Sequence, residues 1–136
     1  MSAAPPRLSP SQLTLRRLTK RADFLAAARG IRKVVGALTL EVAPTPEKLA
    51  QPQTLRVGFT ASRKIGNAVA RNRAKRRMRA AAQARLSLLG RPGHDYVLVA
   101  RASALDCDFE ALLGNLTDAV SAAHRKLDGQ TAKTGA

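Results

Sequence analysis

From Asn67 to Leu89 the chain contains neither Gly nor Pro. A run of that length without a breaker predicts a helix. Asn67 follows Gly66 and suits the N-cap, where its side-chain oxygen can accept a first-turn N–H. Ala70, Ala74, Met78, Ala81 and Leu88 recur at 3- and 4-residue spacing and form the apolar stripe. The stripe is mostly Ala, so this helix can lie close against a sheet. From Arg63 to Arg79 the segment holds eight Lys or Arg and no Asp or Glu. A helix surface that merely faces water usually mixes both signs, acids pairing bases at helical spacing. Here that pairing is missing, and the charge calls for an anionic partner.

The flanks carry strand patterns. "VVGALTLEV" alternates, with Val34, Leu38, Leu40 and Val42 on one face and Val35, Ala37, Thr39 and Glu41 on the other. "LRVGFTAS" places Leu55, Val57, Phe59 and Ala61 together, and "YVLVA" reads as a strand buried on both faces. "TKRADFLAAARG" reads as a short helix, with Thr19 as N-cap and Gly30 as stop. Phe109, Leu112, Leu113, Leu116, Val120, Ala123 and Leu127 trace a last amphipathic helix, with Asp108 as its N-cap. The order α, β, β, α, β, α, with a further strand near Ile31 to Val35, predicts an α/β (α+β) two-layer sandwich. Residues 1–15 and 128–136 read as unstructured tails around one domain, 16–127.

A chain of 136 residues is long enough to bury a core. Its net charge of +15, from 24 basic and 9 acidic residues, makes a polyanion the leading partner. No stretch approaches the roughly 20 apolar residues of a membrane span. An amphipathic helix lying on a membrane surface would need bulky apolar residues in place of the Ala stripe. The N-terminal residues have no apolar core of a signal peptide. The single Cys107 excludes an internal disulfide and any Cys-based zinc cluster. The cytoplasm is the expected compartment.

The inventory opposes a protein nuclease, which needs clustered carboxylates for metal or a His/Lys acid–base pair. Asp106, Asp108 and Glu110 are explained by a helix start, and His94 and His124 read as surface residues. On the basic helix, Arg71, Lys75 and Arg79 form one row with Asn72 beside it; Arg73, Arg76 and Arg77 lie around the far side. The planar fork of Arg can grip phosphate and stack on bases. Arg63 and Lys64 precede the helix, whose N-terminal N–H groups add anion affinity.

"SRKIGNAVARNRAKRRMR" resembles the signature of the bacterial ribonuclease P protein component. Arg63-Lys64, Gly66-Asn67-Ala68-Val69, Arg71-Asn72-Arg73, Lys75-Arg76 and Arg79 are all in register, and the likeness extends from about Arg17 to Leu127. The resemblance implies a small mixed sheet with about three helices and a left-handed β-α-β crossover through the basic helix, against the usual right-handed rule. It implies the protein subunit of an RNA-based endonuclease that removes the 5′ leader from precursor tRNA. The catalytic groups and their Mg²⁺ would belong to the RNA subunit, with no metal bound by the protein and one protein per RNA.

The resemblance also divides the residues. Arg71, Asn72, Lys75 and Arg79 match positions beside the leader, and Arg73 and Arg76 match positions facing the ribonuclease P RNA. Arg63, Lys64 and Asn67 complete the RNA-binding set. Phe24, Leu38 and Leu40 would line the leader cleft, Phe24 as a stacking platform. Ala28 and Leu40 stand where other members often carry aromatics. The alternative is a ribosomal or other structural RNA-binding protein of similar size and charge.

Overall fold

A computed structural model describes residues 13–135. Five strands form one mixed sheet: β1 (Thr14–Arg17), β2 (Ile31–Val35), β3 (Leu38–Pro44), β4 (Thr54–Ala61) and β5 (His94–Ala100). Their spatial order is β1-β4-β5-β3-β2. Three helices pack on it: α1 (Arg21–Ala28), α2 (Ala68–Ala81) and α3 (Phe109–Gly135). β5 is central, antiparallel to β3 and parallel to β4, and the α2 crossover joins β4 to β5.

The two faces of the sheet differ. Leu38, Leu40, Val42, Leu55, Val57, Phe59, Tyr96 and Leu98 point toward α2 and α3 and build the main core with Met78, Leu86, Leu112, Leu116 and Val120. Among the described residues the opposite face carries only α1. There Leu18, Ala27 and Val97 form a small cluster with Phe24 and Val99 half-buried at its margin. Alternation along a strand dictates this division, since neighbouring side chains point to opposite faces.

Several expectations change. "VVGALTLEV" is not one strand but a hairpin, turned at Gly36 with φ +52°. Val35 therefore pairs with Leu38, and Val34 leaves the core side and stands 51% exposed. The amide of Ala37 donates to Asn115 Oδ1 at 2.9 Å, which ties the hairpin to α3. β1 lies partly within the segment read as a tail; its partner β4 is far away in sequence. The tail expected over residues 1–12 lies outside the described residues. The tail expected from Asp128 is instead the end of α3, which reaches Gly135. A lone Gly129 does not stop a helix whose Asp128 is held by Arg91 at 2.8 Å. The N-cap of α1 is Lys20, not Thr19.

After Ala81 the basic helix passes through a π turn, Ala82–Leu86, and one last turn, Ser87–Leu89. A π turn holds an extra residue and rotates the rest of the helix about its axis. The stripe therefore continues at Ala82 and Leu86, both fully buried, and Leu88 is thrown outward at 49% exposure.

Candidate nucleic-acid interface

The chain reaches α2 through a tight approach. Ser62 accepts from the amide of Lys64 at 3.2 Å and shapes a 3₁₀ turn over Arg63–Ile65, with Ile65 buried as its anchor. Gly66 takes φ +140°, which a side chain would resist. Asn67 Oδ1 then accepts from the Ala70 amide at 2.9 Å, the cap its sequence position predicts. Ala74, Met78 and Ala81 are completely buried, so the polar arc of α2 faces outward.

The cations of the protein divide into those held by protein partners and those left for something else. Arg56 grips the buried carboxylate of Asp95 with two bonds, of 2.8 and 2.6 Å, and lies 3.4 Å from Asp23. Thr45 completes that site by donating to Asp95 at 2.7 Å. Arg77 donates to the carbonyls of Ala104 and Cys107 at 2.7 and 2.5 Å, fastening α2 to the loop before α3. By contrast Arg63, Lys64, Arg71, Arg73, Lys75 and Arg76 make no ion pair among the described residues.

Arg63, Arg71, Asn72 and Lys75 come together with Thr60, Ala61 and Ala68 around a cleft of about 270 Å³. It lies where β4 has run past the short edge strand β1, leaving its last residues beside the first turns of α2. Arg79 continues the row along the helix. Its guanidinium sits 5.7 Å from the ring centre of Phe59, with Arg17 at 6.0 Å. Arg73 and Arg76 are exposed and do not line the cleft.

Phe24 lies on the open side of the sheet. It rests against Gly58, where an added Cβ would come 2.6 Å from its ring, and against Leu18. Gly58 and Thr60 are two residues apart on one strand and share a face. The ring of Phe24 and the basic cleft therefore border the same strip of β4. Leu38 and Leu40 do not: both are fully buried in the core beneath α2 and α3 and cannot touch a ligand. The register Val34↔Thr39 and Thr39↔Val99 puts Val34 and Val99 on the open face instead. The sequence pattern hides Val34 because one alternation carries straight through the Gly36 turn, and Val99 because "YVLVA" is apolar throughout.

The histidines also divide. His94 Nδ1 lies 3.1 Å from the Pro92 carbonyl. His124 is not a free surface group, because its Nε2 lies 2.8 Å from the hydroxyl of the buried Tyr96. That hydroxyl also accepts from the Arg91 amide at 2.9 Å, which leaves its own proton available to His124 Nε2 in the Nδ1–H tautomer. Burial is the main cause that lowers the His124 pKa, to about 4, and neighbouring Arg91 adds to it. Among the described residues no three His, Cys, Asp or Glu side chains gather as a metal site. No helix there is long and apolar enough to cross a membrane.

A mixed five-stranded sheet carrying one helix of unpaired cations beside an open cleft defines a small α+β protein built to hold a polyanion. The ribonuclease P family model matches residues 14–124, and the chain belongs to that family. It is 48% identical over 108 residues to the ribonuclease P protein component of Ruegeria pomeroyi, covering 79% of this chain and 85% of that one. The corresponding protein of Caulobacter vibrioides is 42% identical over 120 residues, covering 88% and 78%. Among solved structures, the ribonuclease P protein of Staphylococcus aureus aligns with a TM-score of 0.63 and 25% identity, over 79% of this chain and 94% of that one. The protein of Thermotoga maritima shares the fold, with a TM-score of 0.62. The chain is thus the protein subunit of the endoribonuclease that processes tRNA 5′ ends, and the ribosomal alternative is not favoured.

Proposed function

We propose that the two sides of α2 serve two RNAs. Arg71, Asn72, Lys75 and Arg79, with Arg63 and Lys64 ahead of them, hold the 5′ leader of precursor tRNA. Arg73 and Arg76 bind the catalytic RNA of the holoenzyme, one protein to one RNA in the cytoplasm. Asn67 sets the start of the helix. The observation that carries this reading is the cleft itself, which gathers Arg63, Arg71, Asn72 and Lys75 and leaves Arg73 and Arg76 outside.

The leader follows the open strip of β4, from Thr60 toward Phe24. Val99 and Val34 take the apolar role that the resemblance gives to Leu38 and Leu40. Phe24 supplies a ring edge rather than a full platform, since it is half-buried over Gly58. Phosphate contacts to Arg and Lys fix the strand without reading its sequence. The chemistry falls to Mg²⁺ held by the catalytic RNA, and the protein raises the local density of positive charge where the substrate enters.

Reconstitution with a bacterial catalytic RNA tests the reading. At low Mg²⁺ the protein should raise precursor cleavage and cleave nothing by itself. Lys75→Ala and Arg79→Ala should weaken precursor binding more than mature tRNA binding. Arg73→Ala and Arg76→Ala should weaken assembly with the RNA. Equal losses for both tRNAs in all four variants would remove the division, and RNA-free cleavage by pure protein would refute the assignment of chemistry to the RNA.

A further inference from the structure

A second concentration of positive charge lies away from the basic helix. Arg29, Arg32, Lys33 and Lys126 line a groove of about 360 Å³, and none of the described residues lining it is acidic. Its floor is apolar, made by Ile31, Val42 and Leu127. The cations come from three separate elements: the end of α1, the edge strand β2 and the C-terminal half of α3. Gly30 makes the junction possible, because a Cβ there would meet the Val42 carbonyl oxygen. The α1–β2 turn is thereby drawn down against β3, and Arg29 and Arg32 are held at either side of it.

These charges have little to do inside the protein. Arg32 approaches Glu41 at 3.8 Å, but its side chain is 63% exposed, so that pair is weak. Arg29, Lys33 and Lys126 make no ion pair among the described residues. Arg29 sits at the negative end of α1, which accounts for one cation. It does not account for four drawn from three elements. Like charges brought together without counter-charges cost stability, and a bound polyanion reverses that cost.

The groove lies at the β2 edge, whereas α2 packs chiefly on β4. Three strand spacings separate β4 from β2, about 14 Å. A single phosphate cannot serve both sites. We infer that this groove is a second RNA-backbone contact, which holds a segment of the catalytic RNA other than the one bound by Arg73 and Arg76. The protein then clamps its RNA at two points across the sheet. This inference rests on the reading of the chain as an RNA-bound subunit.

The test uses Arg29→Ala/Lys126→Ala, two exposed positions whose loss leaves the core intact. Lys20→Ala/Arg21→Ala removes equal charge at the other end of α1 and serves as control. Binding of the full chain to a bacterial catalytic RNA is measured across a salt series, with thermal unfolding checked for each variant. Two lost phosphate contacts should reduce the slope of log affinity against log salt by about 1.4–1.8. Backbone footprinting should show lost protection at nucleotides different from those released by Arg73→Ala/Arg76→Ala. A slope equal to that of the control, or release of the same nucleotides, would overturn the second contact. Failure of the wild-type protein to bind the RNA at all would instead reject the underlying reading.

Discussion

Single residues in this protein are sorted less by charge than by what their charge already touches. Arg77 stands among the RNA-facing arginines of α2 in sequence, yet its guanidinium is spent on two backbone carbonyls. Arg77→Ala should cost about 1.5–3 kcal/mol, the range for hydrogen bonds to a charged group. Chemical denaturation measures this, and RNA affinity of the folded fraction should change little. Arg77→Lys should recover only part, since an ammonium cannot span both acceptors. Phe24 poses the other residue-scale question. A fully buried Phe→Ala change costs about 3–5 kcal/mol, and the half-buried ring should cost about 2 kcal/mol. The same variant should weaken binding of long-leader precursors by the holoenzyme and leave mature tRNA unchanged. A full core-sized loss of stability without leader dependence would assign the ring to packing alone.

At the scale of elements, local signals were legible and pairings were not. The cap, the breaker-free run and the Ala stripe of α2 are written in consecutive residues, and the structure carries each of them as far as Ala81. Asn67→Ala should therefore cost about 1 kcal/mol through the lost cap, read as a lower melting temperature with a slightly frayed first turn. The π turn after Ala81 has no signal in residue type, so the outward turn of Leu88 was invisible. β1 was missed because Thr14–Arg17 is short and defined by a distant partner, β4. The hairpin at Gly36 shows the third kind of loss. Alternation identified both strands, but period two is blind to a turn that restarts the count, and Val34 and Leu38 were given one face. The cleft role of Leu38 and Leu40 comes instead from the family resemblance, whereas the fold buries both beneath α2 and α3. The basic row, Arg71, Lys75 and Arg79, needed only helical geometry and was legible. The groove of Arg29, Arg32, Lys33 and Lys126 joins three elements and could be found only in the fold.

For the whole molecule, the balance of charge makes acid a specific threat. At +15 the chain has few carboxylates to spare, and the packing of α3 on the sheet includes a titratable joint. Tyr96 on β5 meets His124 on α3, and Arg91, in the turn before β5, bonds both Tyr96 and Asp128. The His124 pKa falls from 6.5 to about 4 in the fold, burial being the largest cause, followed by Arg91 and His94, with Asp128 opposing. The unfolded chain thus binds a proton between those values that the folded chain refuses. Stability associated with neutral His124 is complete above pH 6.5 and is lost as the pH falls toward 4. Protonation would also turn the acceptor of the Tyr96 hydroxyl into a donor. His124→Gln keeps a side chain able to accept that bond and removes the titration. Carboxylates titrate in the same region, so the informative quantity is the difference between variant and wild type. Between about pH 7 and 4.5 the wild-type melting temperature should fall further than that of His124→Gln, by about 2–4 °C. Parallel curves over that range would mean that α3 shifts to admit water to the imidazole and that the joint does not set acid stability.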